Sequence, residues 1–186
     1  MVFGRGGNEF IAVLLLGPLA AYAAEPARPA SPDCPDTSWD LSQEVALFKG
    51  AATSVPAGLA AAAAPRLELS KLYQVALAPV DRVALAASAR PSQRHDVSAG
   101  IIAVQVPRSG NYRVSIDGQF WVEAIGAEGP ITSTGFQGHQ VCPMIHKIVE
   151  FPLRPGRITF QVSGASATAK LTVTRAADTS EHSAAQ

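Results

Sequence analysis

"GIIAVQVPRSGNYRVSIDGQFWVEAIG", residues 100–126, decides the fold. Three apolar runs stand in it, parted by Pro107-Arg108-Ser109-Gly110 and by Asp117-Gly118. In the first run Ile102, Val104 and Val106 recur at every second position; in the second, Tyr112, Val114 and Ile116 do so. A period of two places alternate side chains on one face of an extended strand. The separators are turn formers and are too short to hold a crossover helix, so the strands are expected to pair antiparallel.

The same pattern continues on both sides. Leu67 and Leu69, then Tyr73, Val75 and Leu77, then Val83 and Leu85 alternate upstream. Downstream come Val149, Phe151 and Leu153, then Ile158, Phe160 and Val162, then Leu171 and Val173. Short runs of this kind, split by Gly, Pro, Asp and Ser, predict an all-β domain: an antiparallel β-sandwich or jelly-roll-like fold of about eight or nine strands. Ahead of them, "SWDLSQEVALFKG" (38–50) predicts a short N-terminal helix. Asp40 would cap it, Leu41, Val45 and Phe48 would share one face, and Gly50 would stop it. A strand is the alternative, because Val45 and Leu47 also alternate. Residues 55–65, "VPAGLAAAAAP", read as a connection bounded by prolines.

The N-terminus reads as a signal peptide over residues 1–23. Arg5 precedes the apolar run Ile11–Leu16, and Ala21-Tyr22-Ala23 forms an A-x-A cleavage pattern. The apolar stretch, about 14 residues, is too short to span a bilayer. Glu9 offsets the charge of Arg5, so an uncleaved anchor is the rival reading. A Pro-rich linker (24–37), the sandwich domain (38–175) and a disordered polar tail (176–186) follow. The expected location is the periplasm or the outside of the cell, with no stable membrane span once the signal is removed.

Lys and Arg total 15 and Asp and Glu 15, with no long basic run, so neither nucleic-acid binding nor a polybasic membrane patch is supported. Two cysteines, Cys34 and Cys142, would lie in an oxidising compartment, where a pair usually bridges. Closing a loop of roughly 100 residues would stabilise the fold by about 4 to 5 kcal/mol in the chain-entropy account.

The candidate site is "GHQVCPMIHKIVEF", residues 138–151. His139, Cys142, Met144 and His146 are ligand types that copper and zinc accept. Blue-copper proteins order their loop ligands Cys, His, Met; here the order is His, Cys, Met, His, and a bridged Cys142 is no thiolate. In a strand, His146 and Glu150 share a face but stand roughly 13 to 14 Å apart, too far to share one metal or proton. His146, Ile148 and Glu150 are expected on the outside, with Val149, Phe151 and Leu153 in the core. Phe136, in the loop "TSTGFQGHQ", and Trp121 with Phe120 are candidates for an aromatic patch that could stack on sugar rings or line an apolar groove. The expected binding face is Phe136, His139 and His146. His95-Asp96 is not a dyad by itself, and no G-x-S-x-G, H-E-x-x-H, P-loop or G-x-G-x-x-G motif occurs.

"GNYRVSID", "FWVEAI", "GFQGHQVCPMIHKIVEFPL" and "ITFQVSGA" resemble segments of a group of small exported proteobacterial proteins without an established activity. Some members carry the label homogentisate dioxygenase. Such enzymes are cupins that hold iron with two histidines and a glutamate, starting from a His-x-His pair. No His-x-His occurs among His95, His139, His146 and His182, so the resemblance transfers no iron ligand. The expectation is an exported, disulfide-stabilised binding or accessory protein without catalysis or cofactor, acting on an unknown ligand or protein of the cell envelope. The alternatives are a metal-dependent enzyme using His139, His146 and His95, with iron as the label implies, and a copper- or zinc-handling protein using the full loop cluster with free thiols.

Overall fold

The computed structural model describes Met1, Cys34, Thr37 and residues 39–86, 97–138 and 143–177. Apart from those first three residues, the expected signal peptide and linker lie outside the described residues. So do His95, His139, Cys142 and His182, and the expected tail from residue 178 on. Among the described residues no helix is long and apolar enough to cross a membrane.

One helix, α1 (Ser42–Phe48), precedes the strands. They are β1 (Thr53–Pro56), β2 (Arg66–Leu67), β3 (Tyr73–Ala76), β4 (Ala78–Pro79), β5 (Ser98–Val106), β6 (Gly110–Ile116), β7 (Phe120–Gly126), β8 (Gly129–Ile131), β9 (Gly135–Gly138), β10 (Lys147–Leu153), β11 (Gly156–Gly164) and β12 (Thr168–Arg175). A front sheet runs β1-β3-β12-β6-β10-β9; a back sheet runs β2-β5-β11-β7-β8, with β4 also on β5. The fold is an all-β sandwich. Tyr112, Val114, Ile116, Phe151 and Leu171 of the front sheet meet Ile102, Val104, Phe120, Phe160 and Val162 of the back sheet in one core. Phe151 and Phe160 cross between the sheets with ring centroids 5.9 Å apart. The buried phenol of Tyr112 donates to the Arg108 carbonyl at 3.0 Å, which removes the cost of burying its hydroxyl.

The structure departs from the sequence reading in four places. First, β1–β3 and β2–β5 are parallel pairs. Each joins strands separated by a long connection, which permits parallel pairing where a tight turn would not. Second, the expected connection at 55–65 begins inside β1, and its alanines form a 3-10 turn at Ala61–Ala63. Third, Val83 and Leu85 form no strand. A 3-10 turn at Val80–Arg82 lays the segment over the back sheet instead, where Val83 packs with Ala64, Ala99, Ile101 and Ala103. Fourth, the described strands outnumber the expected eight or nine, because β1, β4, β8 and β9, each two to four residues long, show no separate periodicity, while the expected strand at Leu67 and Leu69 shortens to Arg66–Leu67.

The outer faces are also covered, so central strands are buried on both sides. In β5 only Gln105 is exposed. On the front sheet the cover is α1, whose Leu41, Val45 and Phe48 face inward as expected. A seven-residue helix is unstable alone and depends on this packing. Asp40 sits one residue ahead of the formal cap, and its Oδ1 accepts the Ser42 N–H at 3.0 Å. The Gly50 N–H closes the other end on the Leu47 carbonyl at 2.9 Å.

Candidate functional site

Phe136 lies on an edge strand, not in a loop. β9 pairs antiparallel with β10, setting Phe136 opposite Val149, Gly138 opposite Lys147 and Gly135 opposite Glu150. Phe136 therefore points to the inner side beside Val149, yet it is 68% exposed. The sandwich is narrow there, since β8 pairs only with Ala124–Gly126 of β7. Lys147, diagonal to Phe136 on the same side, reaches across to the back sheet. Its Nζ donates to the Phe120 carbonyl at 3.1 Å and stands 5.0 Å from the centroid of the Trp121 ring. Trp121 is half-buried and alternates with the core residues Phe120 and Val122, so it belongs to the outer face of the back sheet. Phe136, Lys147 and Trp121 thus mark the margin where the two sheets meet.

His146 is not on that side. It immediately precedes β10, and its N–H donates to the Ile116 carbonyl at 2.8 Å. Strand parity groups it with Ile148 and Glu150 on the outer face, away from Phe136. The outer face is not solvent, however. Ile148 is 2% exposed and packs with Cys34, Leu41, Leu72 and Ile145, with Met144 against the same cluster. This corrects the expectation of an outward Ile148, and it places Met144 in apolar packing. Cys34 is fully buried, and no described cysteine is a free thiol. Among the described residues no group of three or more His, Cys, Asp or Glu could hold a metal ion.

Near His146, Asp117 follows β6. Burial pushes its carboxyl above the ordinary aspartate value, while the Lys170 N–H at 2.9 Å and the charges of Lys170 and His146 pull it partly back. No ion pair forms between Asp117 and His146 among the described residues, so they do not make a dyad.

The strongest polar constellation was not anticipated. Arg113, on the outer face of β6 and 8% exposed, donates from Nε to Glu150 Oε2 at 3.0 Å and from Nη1 to the Asp40 carbonyl at 3.0 Å. Its Nη1 stands 3.9 Å from Glu44 Oε1, and its guanidinium lies 4.6 Å from the Trp39 ring centroid. Glu44, 2% exposed, accepts the Thr174 hydroxyl at 2.7 Å. Gly135 belongs to this arrangement: a Cβ there would stand 3.2 Å from Trp39 Cζ2. One helix and strands β6, β10 and β12 are tied together through these groups. Its signal in sequence was faint: a charged residue at one polar position of each of two strands, and a glutamate on the helix. Beside it, Ser115 and Thr172 face each other across β6 and β12 at 0% exposure. Neither hydroxyl has a hydrogen-bond partner among the described residues.

No family model matches the chain, and no curated protein matches it. Among solved structures it is similar to the pre-peptidase C-terminal domain of a collagenase from Bacillus anthracis, with 14% identity and a TM-score of 0.35, over 59% of this chain and 93% of that one. Nothing about a ligand or an activity follows from that likeness.

Proposed function

We propose that this chain is an exported β-sandwich, stabilised by a Cys34–Cys142 bridge, that binds a ligand or protein of the cell envelope without a catalytic step. The observation that carries the reading is Phe136: a large apolar side chain, 68% exposed on a short edge strand, beside the Lys147–Trp121 contact. Aromatic side chains, Phe among them, are enriched at protein recognition interfaces relative to the rest of the surface. The buried charges support the same reading from the other direction, since Arg113, Glu44 and Glu150 are engaged in docking α1. The proposed binding surface is the margin around Phe136, Lys147 and Trp121, which shares only Phe136 with the Phe136, His139 and His146 face read from sequence. The resemblance to small exported proteobacterial proteins belongs to this proposal, as does a periplasmic or secreted location.

The test begins with the full chain expressed with its own N-terminus and recovered from the periplasm. Thiol titration under denaturation is expected to find none free, and metal analysis no stoichiometric ion. Two free thiols with one bound copper or zinc would overturn the reading in favour of metal handling. Glycan-array and envelope-protein cross-linking signals are then compared with those of Phe136→Ala. The expected result is loss of the signal in the variant; binding unchanged by Phe136→Ala removes this margin as the surface.

A further inference from the structure

A second surface lies about 20 Å from Lys147, at the far end of β10. A cleft of about 410 Å³ opens there between the β7–β8 hairpin and the turn joining β10 to β11. Its volume is within the range of ligand sites. Ile131 and Ile158 give it an apolar base, and a Cβ on Gly126 would stand 3.2 and 3.7 Å from their Cδ1 atoms. Pro130, Pro152 and Pro155 line it with side chains whose backbones are already constrained. Two guanidiniums also line it. Arg157 is committed to the main chain, donating from Nη2 to the Ala61 and Ala64 carbonyls at 3.0 and 3.3 Å. Those neutral acceptors leave its charge unmatched. The side chain of Arg154 has no hydrogen-bonded or ionic partner among the described residues. Among the described residues Glu128, on the hairpin turn, is also unpaired and is the one carboxylate lining the cleft.

We infer that this cleft binds an acidic peptide segment of a partner protein in extended form, its aliphatic side chains on the isoleucines and prolines and a carboxylate on Arg154. Guanidinium forks match carboxylates in a two-point geometry, and an arginine without an intramolecular partner breaks no internal bond to make that contact. The lining favours a peptide over a polysaccharide, because it contains no Phe, Tyr or Trp on which a sugar ring would stack. Glu128 opposes the ligand's charge and tunes the affinity downward.

The test uses the full chain and a fluorescein-labelled octapeptide alternating Glu and Val, followed by anisotropy at low and physiological salt. The comparison probes alternate Lys and Val, alternate Glu and Ser, or are an oligogalacturonate of similar charge. The expected result is saturable binding of the Glu/Val peptide, at least tenfold weaker in Arg154→Glu, at least threefold tighter in Glu128→Lys, and weaker as salt rises. Both variants lie in exposed turns, so loss through misfolding is excluded by their retaining wild-type melting behaviour. Phe136→Ala is expected to leave this binding unchanged, which separates the cleft from the aromatic margin. Equal binding of the Lys/Val peptide, no response to either charge reversal, or preference for oligogalacturonate would each overturn the inference, the last by assigning the cleft to an acidic polysaccharide.

Discussion

Replacing Arg113 by Met removes the one cation of the network while keeping most of its aliphatic stem. In the wild type its Nε and Nη1 bonds to Glu150 and Asp40 are both 3.0 Å long, and Trp39 lies against its guanidinium. The side chains concerned are 10% (Arg113), 13% (Glu150) and 3% (Glu44) exposed, so solvent screens them little. With the guanidinium gone, the carboxylates of Glu44 and Glu150 both lose the charge they were paired with. Breaking a buried pair in this way costs about 3 to 5 kcal/mol, because the remaining charge stays desolvated. Against a total stability of about 5 to 15 kcal/mol that is a large share. For a domain of this size it corresponds to a fall in Tm of about 6 to 20 °C. The assay is urea unfolding followed by tryptophan emission, since Trp39 sits on the replaced group. The second arm is the triple variant Arg113→Met, Glu44→Gln, Glu150→Gln, which keeps an acceptor for Thr174 but carries no charge. It is expected to recover at least half of the loss. A loss below about 1 kcal/mol in Arg113→Met, or a triple variant no more stable than the single one, would refute the reasoning that uncompensated charge is the cause.

Four further outcomes follow from the same packing. Gly135→Ala is expected to push Trp39 off Arg113, given the 3.2 Å approach to Cζ2, shifting tryptophan emission and costing about 1 to 3 kcal/mol in urea unfolding. Thr172→Val replaces a buried, unpartnered hydroxyl by a methyl of the same shape and is expected to leave the urea midpoint equal or higher. Asp117 has a folded pKa raised above 3.8 by burial, so the stability it contributes is complete at low pH and is lost as pH rises through the raised value. The stability of Asp117→Asn relative to wild type is therefore expected to be greater at pH 6 than at pH 3; no such increase would contradict the burial argument. Cys34→Ser is expected to lower stability by about 4 to 5 kcal/mol under oxidising conditions, and the wild type should show the same fall when reduced.

Much of the fold was legible because strand periodicity is local. Alternation at 102–106, 112–116, 149–153 and 158–162 depends only on which face each residue presents, and these became the facing strands of the core. The helix at 42–48 was readable for the same reason, from Leu41, Val45 and Phe48 on one stripe. The shortest strands were not, since two residues such as Ala78 and Pro79 carry no period and become a strand only when β5 supplies their partners. Val83 and Leu85 alternated without pairing, because the segment covers a sheet face rather than joining an edge.

The candidate site divides along the same line. From residue order alone came the apolar core, the helix and a set of polar and aromatic residues gathered in one stretch of chain. Tertiary structure decided which of them share a surface. Pairing of β9 with β10 put Phe136 on one side of the sheet, while strand parity put His146 on the other, although ten residues separate them in the chain. It also brought Glu44, Arg113, Glu150 and Thr174 together from four elements, although up to 130 residues separate them. The physical reason is that face and period are set by neighbours along the chain. Charge pairing and exposure depend on what the rest of the fold packs against each face.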